Sequence, residues 1–199
     1  MAPRIAAACC LVLLAGCGGG GGGGGNEGKG SPPIWPAPPN PMALSVKAGL
    51  VPERAEFLEY HVHAHLDVFL NGEPKTVPAG IGIDTKNPTV ISEDQGVGLE
   101  EECEKPCISP LHTHATDGVL HTETKTPQPN NLGQFFVEWD VRLDSSCIGE
   151  YCDPETSWAI YIDGEVYEGD PREIELSDGR EIAVVIGTPP DEIPSEFGQ

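Results

Sequence analysis

Residues 59–70 alternate between two kinds of side chain, with Tyr60, Val62, Ala64, Leu66, Val68 and Leu70 on one side and His61, His63, His65 and Asp67 on the other. A period of two over this length predicts a half-buried strand whose histidines face away from the core. Asn71 and Gly72 follow, a pair favoured in two-residue hairpin turns, so residues 73–78 are expected to return antiparallel. In that register Phe69 opposes Pro74 and His65 opposes Pro78. Neither proline then removes a hairpin hydrogen bond, and their missing donors mark 73–78 as an edge strand.

A second alternating pair flanks Asp117 and Gly118, with segments 111–116 and 119–124. A two-residue turn there pairs Thr116 with Val119, His114 with His121 and His112 with Glu123. Those three histidines and Glu123 then share one face, with directly opposed Cβ atoms about 5 Å apart. Along residues 131–141 the period changes: Leu132, Phe135, Phe136 and Trp139 recur at helical spacing behind Asn130 or Asn131, either of which can cap a helix. Such a stripe packs into a core. Strands follow at 158–162, 165–168 and 180–187, with turns at Asp163–Gly164 and Asp178–Gly179. From Leu111 onward the order is ββαβββ, which resembles the ubiquitin-like β-grasp with the His61 hairpin added at its N-terminal side. The expected fold is α+β, mainly β. Glu93, Asp94, Glu100, Glu101, Glu102 and Glu104 lack calcium-loop spacing and read as a solvated loop.

The N-terminal stretch has a different character. Arg4 precedes an apolar run over residues 5–14, and Leu14, Ala15, Gly16 and Cys17 follow. About 12 apolar residues span roughly 18 Å as a helix, too short for a hydrocarbon core of about 30 Å. The run fits an export signal over residues 1–16, and its end resembles the lipobox of bacterial lipoproteins. That resemblance implies cleavage before Cys17, lipidation of Cys17 and an extracytoplasmic protein held at a membrane without spanning it. Residues 17–54 then form a tether, flexible through the glycine run at 18–25 and stiffer through the proline-rich 31–41, leaving 55–195 as one folded domain.

Charge removes one class of partner. The chain has 11 Lys plus Arg against 32 Asp plus Glu, a formal net charge of -21, and loss of Arg4 with the signal brings it to -22. Such a surface repels nucleic acid and anionic lipid and concentrates cations. Of 7 cysteines, Cys9 and Cys10 leave with the signal and Cys17 takes lipid. Cys103, Cys107, Cys147 and Cys152 remain, and four cysteines in an exported protein imply two disulfides with three possible connectivities, two local loops among them.

Every one of the 6 histidines falls in residues 61–65 or 112–121. Imidazole with carboxylate suits zinc, copper, iron or nickel, and copper or zinc is the expected cofactor. The candidate ligands are His61, His63, His65, His112, His114, His121 and Glu123, with Asp67 and Asp117 as weaker candidates. Six imidazoles exceed one tetrahedral site, so convergence of both tracts implies a dinuclear centre or one site with supporting histidines.

The motifs H-V-H-A-H-L at 61–66, L-H-T-H at 111–114, Gly118, His121, Glu123 and L-G-Q-F-F at 132–136 resemble a family of exported bacterial and archaeal proteins. The resemblance runs from about residue 60 to 187 and implies the same domain and site. It brings no established activity. Many members place aspartate after the second histidine of H-T-H, where this chain has Ala115.

Three functions follow from these residues. The first is a membrane-anchored protein that binds copper or zinc for transfer, buffering or sensing. The second is a metal-dependent hydrolase or oxidoreductase with Glu123 as base or fourth ligand, although no H-E-x-x-H motif is present. The third is an interaction module with a pH-sensitive histidine surface.

Overall fold

The computed structural model describes residues 33–93 and 96–197. The expected signal, Cys17 and the glycine run lie outside the described residues. The architecture is α+β, built from helices α1 (Pro41–Lys47) and α2 (Leu132–Glu138) and a mixed seven-stranded sheet. The sheet contains β1 (Tyr60–Leu70), β2 (Glu73–Lys75), β5 (Leu111–His112), β6 (Val119–Thr124), β9 (Trp158–Ile162), β10 (Glu165–Tyr167) and β11 (Glu181–Ile186). Two small hairpins stand apart, β3 (Val90–Glu93) with β4 (Gly96–Leu99), and β7 (Cys147–Ile148) with β8 (Tyr151–Cys152).

The long strand β1 is the hub. Its second half pairs parallel with β11, from His65 opposite Glu181 to Leu70 opposite Ile186. Its first half pairs antiparallel with β6, from Tyr60 opposite Thr124 to His65 opposite Val119. Ala64, Leu66 and Val68 point into the main core, where they join Leu132, Phe135, Phe136 and Trp139 of the α2 region. Asn131 caps α2: its side chain accepts from Gln134 N at 2.9 Å, and the Gln134 side chain accepts from Asn131 N at 3.0 Å.

The strand order is β10-β9-β11-β1-β6-β5, with β2 beside the end of β1. Counting ββαβββ from Leu111 does not describe it. The strand parallel to β11 is β1, and the two-residue β5 is the sheet edge. Asn71 and Gly72 turn with φ of 53° and 83°, and Phe69 does oppose Pro74. The β2 pairing ends at Lys75, however, and His65 faces Val119 rather than Pro78, because β6 occupies that side of β1 from His65 backward.

The second hairpin differs from the two-residue turn by a shift of two residues. His112, not His114, opposes His121, and Leu111 opposes Thr122. Thr113 leaves β6 because it is bound elsewhere. Its N–H donates to Ile81 O at 3.1 Å, its Oγ1 donates to Pro78 O at 2.8 Å, and its carbonyl accepts from Gly80 N at 2.8 Å. A shift of two preserves side-chain parity, so the histidines keep their common face. The connection can come this close to β1 because residue 118 is glycine. Its φ is +82°, and a Cβ there would lie 2.7 Å from Leu66 O and 2.9 Å from His65 Nε2.

Two further features were not apparent in the pattern, and the expected disulfides are resolved in their pairing. The acidic stretch contains the β3–β4 hairpin, whose Val90, Val97 and Leu99 pack on a small cluster with Ile83 and Ile108. Part of the expected tether packs on the domain, where Trp35 stands edge-on to Trp139 at 5.5 Å and Leu44 and Leu50 are buried. The disulfides are the two local ones, Cys103–Cys107 and Cys147–Cys152. Among the described residues no helix is long and apolar enough to cross a membrane.

Candidate metal centre

Three adjacent strands place histidines in one row. His63 on β1 opposes His121 on β6, and His121 opposes His112 on β5. One step along, His61 opposes Glu123. His114 lies past the end of β5 and returns to the row, its ring centroid 4.6 Å from both His112 and His121. Five of the six histidines and Glu123 thus meet on the sheet face away from the main core.

Two of these rings are oriented by the backbone. His112 Nδ1 donates to Ser109 O at 2.8 Å, and His114 Nδ1 donates to Val97 O at 2.6 Å. A carbonyl only accepts, so each ring carries a proton on Nδ1 and turns its Nε2 toward the other ring. The two Nε2 atoms lie 3.0 Å apart. Neutral imidazoles held lone pair to lone pair repel each other, and a cation between them removes the repulsion. His112 is fully buried, and burial, then the charge of His114, brings its pKa down to about 3, so its lone pair is free at neutral pH. This is the arrangement metal-ligating histidines adopt, with the second ring nitrogen fixed by a carbonyl.

Glu123 completes the group. Its Oε1 lies 3.1 Å from His61 Nε2, 3.4 Å from His121 Nδ1 and 4.0 Å from His112 Nε2. Burial disfavours its charged form, but contact with His121 and the charges of His112 and His61 outweigh this and lower its pKa. The buried Glu123 Oε2 and His121 Nδ1 have no hydrogen-bond partner. Orphaned buried polar atoms beside imidazole nitrogens form a donor set that a transition-metal ion satisfies. His112, His114, His121 and Glu123 can hold such an ion, with one ligand atom from each lying within 4.8 Å of the others. His61, His63 and His121 form a second convergent group on the more exposed side.

His65 belongs elsewhere, although its alternation on β1 grouped it with the other ligands. Its Nδ1 meets Glu181 Oε2 at 2.8 Å and its Nε2 meets Asp117 O at 2.7 Å. With an acceptor at each nitrogen, the ring is placed to carry both protons beside a carboxylate. Burial pushes its pKa down, but Glu181, then Asp67 and the Asp117 carbonyl, more than reverse this and raise it. Asp67 and Glu181 can converge with His65 as a third group, yet its nitrogens are already engaged. Asp117 acts through its backbone carbonyl, while its Oδ1 accepts from Val119 N at 3.1 Å within the turn.

Several contributors escaped the sequence reading. Glu56 Oε1 lies 3.8 Å from His114 Nε2, and burial, then repulsion from Glu123, raises its pKa. Behind His112, Ser109 Oγ donates to the fully buried Glu138, which also accepts from Ser45 Oγ at 3.0 Å. Neither glutamate sits in a histidine tract, and the carbonyls of Ser109 and Val97 leave no trace in residue type. Comparison of the chain with protein-family models, curated proteins and solved structures finds no match.

Proposed function

We propose that this protein is an extracytoplasmic lipoprotein, anchored through Cys17, that binds copper or zinc at His112, His114, His121 and Glu123 for transfer, buffering or sensing. The observation that supports metal binding most directly is the pair of Nε2 atoms of His112 and His114, 3.0 Å apart, each ring fixed by a carbonyl on its other nitrogen. Three imidazoles and a carboxylate suit either metal. The anchor rests on the lipobox-like Leu14, Ala15, Gly16 and Cys17, and the acidic surface leaves nucleic acid out of the reading. A β-grasp-like core is retained in altered form, with β6, β1, β11, β9 and β10 around α2 and with β2 and β5 as additions.

Metal analysis of untagged protein isolated from the cell envelope tests the binding reading. Copper or zinc retained through dialysis by the wild type and lost from His112→Ala is the expected result, and wild-type protein free of both overturns it. Labelling with a radioactive fatty acid tests the anchor, since Cys17→Ser should take up none and equal label in both proteins sinks it.

A metal-dependent enzyme is the second reading, and one observation favours it. A cavity of about 220 Å³ adjoins the site, lined by Glu123 together with Leu50, Phe57, Pro110, Lys125 and Asn130. A small molecule there would sit against the free side of Glu123, which would then act as base or ligand. Turnover by the metal-loaded protein that Glu123→Gln abolishes without loss of the metal would place the enzyme above the carrier.

A further inference from the structure

We infer that the histidine face holds two transition-metal ions rather than one, an inner ion on His112 and His114 and an outer ion on His61 and His63, with Glu123 between them. This rests on the metal-binding reading above. Two limits argue against a single ion. A tetrahedral site takes four donors, and the face offers five imidazoles and a carboxylate. The donor atoms also fall into two sets, since His61 and His63 converge with His121, whereas His112 and His114 converge with His121 and Glu123.

The outer pair has ligand geometry of its own. His61 Nε2 and His63 Nε2 lie 2.8 Å apart, and the His63 ring centroid is 4.4 Å from that of His121. Both rings come from alternate residues of β1, whose backbone fixes their common direction. Glu123 links the halves: Oε1 is 3.1 Å from His61 Nε2 and 4.0 Å from His112 Nε2, and Oε2 is buried without a partner. A carboxylate that reaches nitrogens of both sets and keeps one oxygen free is placed to bridge two ions. His121 stands in both sets and is the second shared residue.

The two sites differ in access. The His112 side chain is fully buried, whereas that of His61 is 33 % exposed. The inner ion is therefore the slowly exchanging one and the outer ion the exchangeable one, loaded and lost from the surface.

Zinc titration of the metal-free full-length protein, followed by mass spectrometry under non-denaturing conditions, reads the stoichiometry. Two zinc ions per chain are expected, falling to one in His61→Ala/His63→Ala with the remaining affinity within about tenfold of the wild-type inner site. Copper(II) loaded to two per chain should show magnetic coupling between the ions by electron paramagnetic resonance. One ion in the wild type, unaffected by the double substitution, overturns the two-ion centre and leaves metal binding standing. Two ions retained by the double variant also overturn it, by placing the second ion elsewhere. No bound ion overturns the metal-binding reading itself.

Discussion

One face of the first half of β1 carries three histidines, and the two ends of that row have opposite chemistry. At the His65 end, both ring nitrogens meet acceptors, Glu181 and the Asp117 carbonyl, although Glu181 Oε1 is left buried without a partner. At the other end, the rings paired across to β6 and β5 spend one nitrogen on support or none, and their remaining nitrogens face one another. Composition does not separate the ends, since each combines histidine with glutamate. What separates them is whether an acceptor or another lone pair stands opposite the second nitrogen. A histidine with two acceptors is a structural cation. One with a single carbonyl behind it is a ligand waiting for an ion.

The most direct way to break this comparison is to exchange the fates of the two ends. His112→Ala should lower metal affinity by several kcal/mol, because water replaces an imidazole. His65→Ala should leave affinity nearly unchanged but destabilise the metal-free fold by about 3–5 kcal/mol, because Glu181 is left buried without its partner. Calorimetric titration and thermal unfolding read the two effects, and equal loss of metal in both variants would end the distinction.

The ends should also answer pH with opposite signs. His112 has its pKa lowered to about 3, so between there and 6.5 the folded chain holds fewer protons than the unfolded one. Its stabilising contribution is complete above about 6.5 and is lost on acidification, by an amount on the order of several kcal/mol. The raised pKa of His65 reverses this: its contribution is complete below about 6.5 and is lost as pH rises through the folded value. Unfolding midpoints of metal-free protein between pH 4 and 8 should show an acid-side loss that His112→Ala reduces and an alkaline-side loss that His65→Ala reduces. A pH profile unchanged in both variants would contradict the assigned protonation states.

Support behind the open end gives a smaller effect. Burial, opposed by hydrogen bonds from Ser109 and Ser45, pushes Glu138 up to about 7. The folded chain therefore holds the extra proton between 4.5 and 7, and the stability present below 4.5 falls across that window. Glu138→Gln should remove this fall, worth on the order of 3 kcal/mol, with metal affinity changed by less than about tenfold. A larger loss of affinity would make the Glu138–Ser109 pair part of what holds His112 in place. The smallest change expected is in Thr113→Val, which removes the hydroxyl bonded to Pro78 O and Ile81 N and should destabilise by about 1–3 kcal/mol. An unchanged midpoint would mean that those bonds do not hold the connection away from β6.

Much of this was legible because strands and capped helices write themselves locally. The alternation from Tyr60 to Leu70, the Asn131 cap and the Asp163–Gly164 turn depend on neighbours in sequence, and each element starts within a residue or two of its expected place. The face shared by His112, His114, His121 and Glu123 survived even a wrong register, because a shift of two keeps parity. What could not be read depends on distant partners. Thr113 is drawn off β6 by Pro78 and Ile81, more than thirty residues earlier, and Trp35 packs on Trp139 from within a proline-rich run. His65 looks like its neighbours until Glu181 arrives from the far end of the chain.

The position of β11 sets an order on the making of the protein. It is the last strand synthesised, yet it lies between β1 and β9 in the sheet. Its contact with β1 joins His65 to Glu181, 116 residues apart, so no local hairpin can substitute for it. Such long-range parallel pairing is slow to form and must wait for both partners. A growing chain that has reached residue 180 holds β1 and β9 without the strand that joins them. The sheet can close across its centre only once Ile186 has been made.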